Sequence, residues 1–163
     1  MKKLFILSAI TIGAASLNAE ESAFQLSLTP DIAIQSRTTD IEGVSLGIWS
    51  ENPQHSLTIG FVNGSTGDSG GFSLGFILNY DDSYTGVQWG VVNYSKQNYV
   101  GWQSGFVDYA KGSFKGLQFG LINYAENLDG LQIGLFNVAM NNPMFDEFPD
   151  KLAKGFPIVN WSF

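Results

Sequence analysis

His55 is the only histidine in a chain of 163 residues that has no cysteine. A zinc or other transition-metal site draws on several Cys or His ligands, and this sequence offers one. A Ser–His–Asp site would have to use His55, which sits in a turn just after Pro53, a poor setting for a triad. Two pairs of adjacent acids, Asp81–Asp82 and Asp146–Glu147, read as solvated loops. Glycosidase carboxylates are set apart by a fold rather than by adjacency in sequence. The segment Asp68–Ser69–Gly70–Gly71 and the Asp81–Asp82 pair are possible calcium ligands, but the glycine spacing and ligand count of a calcium loop are absent. The stretch GSTGDSGG (64–71) is glycine-rich, yet it lacks the lysine and the following helix of a phosphate loop. The sequence therefore predicts no catalytic residues, no metal and no cofactor: the chain reads as something other than an enzyme.

Composition points to surface chemistry instead. Charged residues make up 14% of the chain, against about 25% in ordinary soluble domains. Aromatics are also 14% and there are 19 glycines. Such a chain either hides apolar surface in an assembly or meets a solvent that is partly not water. The net charge of -7 argues against nucleic acid and against docking onto anionic headgroups.

The elements that organise these residues are repeats. GVQWGVVNYS, GWQSGFVDYA, GLQFGLINYA and GLQIGLFNVA begin at Gly86, Gly101, Gly116 and Gly130, a short fixed period of the kind that dictates architecture. Aligned on the second glycine, the template extends over Gly47, Gly60, Gly75, Gly90, Gly105, Gly120 and Gly134. Period-two alternation puts Leu117, Phe119, Leu121 and Asn123 on one face of a strand, and Gln118, Gly120, Ile122 and Tyr124 on the other. The equivalent amides Gln88, Gln103, Gln118 and Gln132 are candidate lumen residues, with the neighbouring glycines leaving room for them. Charges such as Lys96, Lys111, Lys115, Glu126 and Asp129 fall between phrases, Asp108 being the exception. Tyr80, Tyr84, Tyr94, Tyr99, Tyr109 and Tyr124 sit near strand ends, where a membrane barrel carries aromatic girdles.

Two closed architectures fit. One is an antiparallel up-and-down β-barrel of about eight to ten strands, one phrase per strand. The other is a β-solenoid, one phrase per coil, with Asn63, Asn93, Asn123 and Asn137 stacked as a ladder. Residues 1–19, with Lys2 and Lys3 ahead of a short apolar run from Leu4 to Ala15 and small residues near Ala19, read as a cleaved secretory signal peptide; residues 20–163 form a single repeat-built β domain. Residues 140–155 are the longest connection, broken by Pro143 and Pro149, and are the candidate contact with an external ligand. The last strand, 156–163, alternates Val159, Trp161 and Phe163 on one face, and Asn160 and Ser162 on the other.

The C-terminal alternation resembles the assembly signal of bacterial outer-membrane barrels and tips the expectation toward the barrel. The units GVQWGVVNY, GLQFGLINY and GLQIGLFN, with VNWSF at 159–163, also resemble uncharacterised bacterial surface-repeat proteins with GLQxGLxN units and a VNW-x-F end. That resemblance spans residues 24–163 and implies a Gram-negative cell-surface location without an established activity. The expectation is thus a small outer-membrane barrel with a structural, adhesive or surface-interaction role, with outer-membrane lipid and the barrel-assembly machinery as partners. The alternative is a secreted, soluble β-solenoid acting as a binding module on the cell surface.

Overall fold

The computed structural model describes residues 20–163; the signal-peptide reading of residues 1–19 lies outside them. The described chain is all β: β1 (Glu21–Thr29), β2 (Ile32–Ala33), β3 (Asp40–Asn52), β4 (His55–Ser95), β5 (Asn98–Ala139) and β6 (Gly155–Ser162). The pairing decides the architecture. β3 lies parallel to β4, with Gly47 beside Gly60, and β4 lies parallel to β5, with Gly86 beside Gly101, Gln88 beside Gln103 and Asn93 beside Asp108. Parallel neighbours offset by one repeat make each phrase a rung of a β-solenoid of about six turns. An up-and-down barrel requires antiparallel neighbours, so the barrel expectation is corrected, and with it the count of eight to ten strands.

The strands are long because the whole repeat is extended. β4 runs for 41 residues and β5 for 42, close to three rungs each, and bends at corners without leaving the sheet. The glycine-rich stretch 64–71 and the segment 80–85, which looked like loops, are strand. Corners need special backbone. Gly101 has φ 136°, which L side chains avoid, and a Cβ there would overlap the carbonyl oxygen of Gly86 one rung below.

Stacked like residues form the interior. Tyr84, Tyr99 and Phe114 are buried with rings nearly parallel at 5.8 and 5.3 Å between centroids; Leu128 continues the stack. Ala110, Ala125 and Ala139 form a second, narrow column. A rung height of about 4.8 Å sets both spacings. The tyrosine girdle is therefore corrected: Tyr84 and Tyr99 are core, while Tyr94, Tyr109 and Tyr124 stack on one another at 5.7 and 4.4 Å in half-buried positions.

Antiparallel strands close both ends. β2 covers β1, and β6 covers the last rung with Asn160 beside Gln132. Residues 140–155 fold over that end. Leu152 and Ala153 are buried, Trp161 Nε1 donates to the Pro149 carbonyl at 2.8 Å, and Asn142 Nδ2 donates to the Trp161 carbonyl at 3.0 Å. Closure of this kind blunts an open sheet edge. The segment expected to project as a ligand-binding loop is built into the cap, although much of residues 144–150 is solvent-exposed.

Candidate functional site

The amides predicted to fill a lumen fill the solenoid. Gln88, Gln103, Gln118 and Gln132 are all buried and linked in one direction. Gln103 Nε2 donates to Gln88 Oε1 at 3.2 Å, Gln118 to Gln103 at 3.1 Å and Gln132 to Gln118 at 2.8 Å. The spare N–H groups of Gln118 and Gln132 reach the carbonyls of Tyr124 and Val138. In the three preceding rungs Ser45, Thr58 and Ser73 stand at the same place. Of these, Thr58 donates at 3.0 Å to Gln54, which donates to Ser65 at 2.7 Å, and Ser73 donates to Asn79 at 2.8 Å.

The second polar column runs Asn63, Asn79, Asn93, Asp108, Asn123, Asn137. Nδ2 of Asn63 donates to Asn79 at 3.1 Å, that of Asn79 to Asn93 at 2.7 Å, that of Asn93 to Asp108 at 2.7 Å and that of Asn123 to Asn137 at 2.7 Å. Asn79 was missed because Leu78 adds one residue, placing it four after Gly75 where the other copies have three. The column breaks at Asp108. Its Oδ2 and the Oδ1 of Asn123 have no partner. A Cβ on Gly120 would lie 2.8 Å from the first and 3.0 Å from the second, so two acceptors converge on one point. Burial pushes the Asp108 carboxyl up to about 7, against the hydrogen bond from Asn93. A proton on Asp108 turns that pair of acceptors into donor and acceptor.

A second acid is interior as well. Asp81, read from sequence as part of a solvated pair, is buried. Gln88 Nε2 donates to it at 2.8 Å and Ser95 Oγ at 2.6 Å. Burial raises it to about 7 against those two bonds, with the charge of Asp82 adding to the rise. Among the described residues no cluster of His, Asp or Glu is arranged to hold a metal, and His55 lies 3.7 Å from Asp40 at an exposed position.

The outer face is where the molecule meets its surroundings. The alternation holds as far as each repeat glycine: Gln118 points in, Phe119 points out, and a Cβ on Gly120 would point at interior side chains. The chain then turns. Leu121 and Ile122 are consecutive yet 45% and 44% exposed, and Asn123 is fully buried. The expected faces are thus corrected beyond each glycine: Asn belongs inside with Gln, and Ile122 and Tyr124 face outward.

Before the turn the face presents apolar columns separated by glycine. Gly75, Gly90, Gly105, Gly120 and Gly134 floor a trench of about 640 Å³. Its walls are Leu74, Trp89, Ser104, Phe119 and Ile133 on one side, and Phe76, Val91, Phe106, Leu121 and Leu135 on the other. Ile158 of β6 closes one end; it holds φ 70° and is 71% exposed, a strained conformation for a β-branched residue. No lining residue is charged. Lys96, Lys111, Lys115, Glu126 and Asp129 lie in the later part of each rung, where Lys96 pairs with Asp82 at 3.2 Å and Lys115 with Asp129 at 2.7 Å.

The C-terminal residues keep the predicted sidedness. Asn160 and Ser162 are buried, Val159 and Trp161 half-buried and Phe163 exposed. Asn160 bonds the backbone of Ala153, and the Phe156 carbonyl accepts from Asn137 at 3.1 Å, so β6 terminates the asparagine column. In comparisons with protein-family models, curated proteins and solved structures, nothing matches this chain.

Proposed function

We propose that the protein is a non-catalytic interaction module, exported to the cell surface, that works through the outer face of its solenoid. The observation carrying this reading is the placement of chemistry: the amide columns and two carboxyls, Asp81 and Asp108, are inside, and the trench on the outer face displays apolar columns without a charge. Exposed apolar patches beyond a few hundred Å² mark interaction sites on soluble proteins. A non-catalytic reading is supported by the interior, where the glutamines bond to one another in a continuous ladder and antiparallel strands cover both ends. The apolar leader sequence and the resemblance of the repeats to bacterial surface-repeat proteins support an extracytoplasmic location.

The test is a pair of charge substitutions on different sides of the rung. Trp89→Lys should abolish retention in the cell-envelope fraction while leaving the β-sheet circular dichroism unchanged. Lys111→Asp should retain the wild-type distribution. Equal behaviour of wild type and Trp89→Lys would remove the outer face from the function.

A further inference from the structure

We propose that the outer apolar face is self-complementary and that its partner is a second copy of this chain; this rests on the interaction-module reading above. The argument starts from the relief of the face. Along one trench wall, Ser104 interrupts a column that carries Trp89 one rung below and Phe119 one rung above. The small side chain leaves a hole framed by two aromatics. In the same rung, two residues on, Phe106 stands on the opposite wall and is 61% exposed. Knob and hole thus sit side by side in one rung of the trench. A two-fold axis passing between them would place Phe106 of each copy in the Ser104 hole of the other, which is the isologous contact of a closed dimer.

Area and charge agree with that occupant. Phe61, Phe76, Trp89, Trp102, Phe106 and Phe119 are each 46–61% exposed; at about 200 Å² per aromatic side chain they expose about 600 Å². Neighbouring aliphatic side chains bring the face to about 800 Å², the amount one partner contributes to a standard stable interface. The chain carries a net charge of -7, which opposes self-association unless charge is kept off the contact. The trench-lining residues are uncharged, and the acids and lysines of the repeats lie in another part of the rung. Both copies also share one rung height, so contacts on either side of the central pair stay in step along the face.

The experiment is sedimentation analysis of the purified chain over a range of concentrations, beside its flotation with phosphatidylcholine vesicles. The expected result is a dimer for wild type. Phe106→Lys, which removes the knob, and Ser104→Trp, which fills the hole, should each be monomeric, with unchanged circular dichroism. Because the chain has no cysteine, Ser104→Cys mixed with Phe106→Cys should give a disulfide-linked heterodimer on mild oxidation, and Lys111→Cys with the same partner should not. A wild-type protein that stays monomeric but floats with vesicles would overturn self-association and leave the outer face as a lipid-binding surface. A monomer that does not float would overturn both the dimer and the interaction-module reading.

Discussion

The glutamine and asparagine columns stand side by side in the same rungs, and they differ in one respect. The glutamine column is uniform from Gln88 to Gln132, and every link has a donor and an acceptor. The asparagine column is longer but contains Asp108, and there the chain of bonds stops at two unpartnered oxygens. A primary amide carries its own donor and acceptor, so identical amides one rung apart extend a ladder without limit. A carboxylate has only acceptors and can end a run but not continue it, unless it holds a proton. The exception is therefore informative: the interior tolerates one broken link, and does so with a carboxyl whose buried setting favours the protonated form.

The most damaging way to break this comparison is to cut the uniform column. Gln118→Leu leaves Gln103 Oε1 without its donor and removes the bonds to Tyr124 and Gln132. At about 1–3 kcal/mol for each buried polar group left unpaired, the loss should be about 3 kcal/mol in denaturant unfolding.

Repairing the irregular column should work in the opposite direction. Asp108→Asn supplies an N–H toward Asn123 Oδ1 and removes a buried charge, and should raise stability at pH 8 by about 2 kcal/mol. The pH dependence follows from the raised carboxyls. Asp108 and Asp81 sit at about 7 when folded, against 3.8 for an ordinary aspartate carboxyl. Their contribution is fully present below pH 4, declines as pH rises through 7, and is flat above, at most about 1.4 kcal/mol per pH unit for each carboxyl. Unfolding titrations of wild type between pH 4 and 8 should show this decline, and Asp108→Asn should lose one carboxyl's share of it. An unchanged profile would mean that Asp108 is ionised throughout.

Asp81 sharpens the same point with a smaller effect. It has the same raised value but is held by Gln88 and Ser95, so Asp81→Asn should gain less than about 1 kcal/mol at pH 8. A gain as large as that of Asp108→Asn would show that burial alone, and not the broken ladder, sets the cost of the charge.

The smallest effect belongs to the outside. Leu121→Arg and Ile122→Arg place charges at half-exposed positions and, measured on the monomer, should each change stability by less than about 0.5 kcal/mol. In a membrane barrel a mid-strand arginine on the lipid face would cost about 2–4 kcal/mol, so the same measurement separates the two architectures.

The sequence by itself determined the all-β class, the period, the alignment of the seven glycines and the inward direction of the glutamines. It also determined the sidedness of Asn160 and Ser162 and the confinement of charge, Asp108 excepted, to the stretches between phrases. Each of these is local: side-chain alternation and stacking of like on like follow from residue order within one repeat. Whether neighbouring phrases run parallel or antiparallel was decided only by the tertiary structure, because a strand alternates its faces identically in both. Three particular misreadings have the same origin. The turn after each repeat glycine puts Leu121 and Ile122 outside together, which a strict period of two cannot express. Asp81 looked solvated because acids usually are, and only the rung above, with Gln88 and Ser95, encloses it. Residues 140–155 looked like a projecting loop until Trp161 and Asn160 supplied the surface they fold against. In each case the deciding contact comes from residues outside the segment being read, and it forms only when the coils stack.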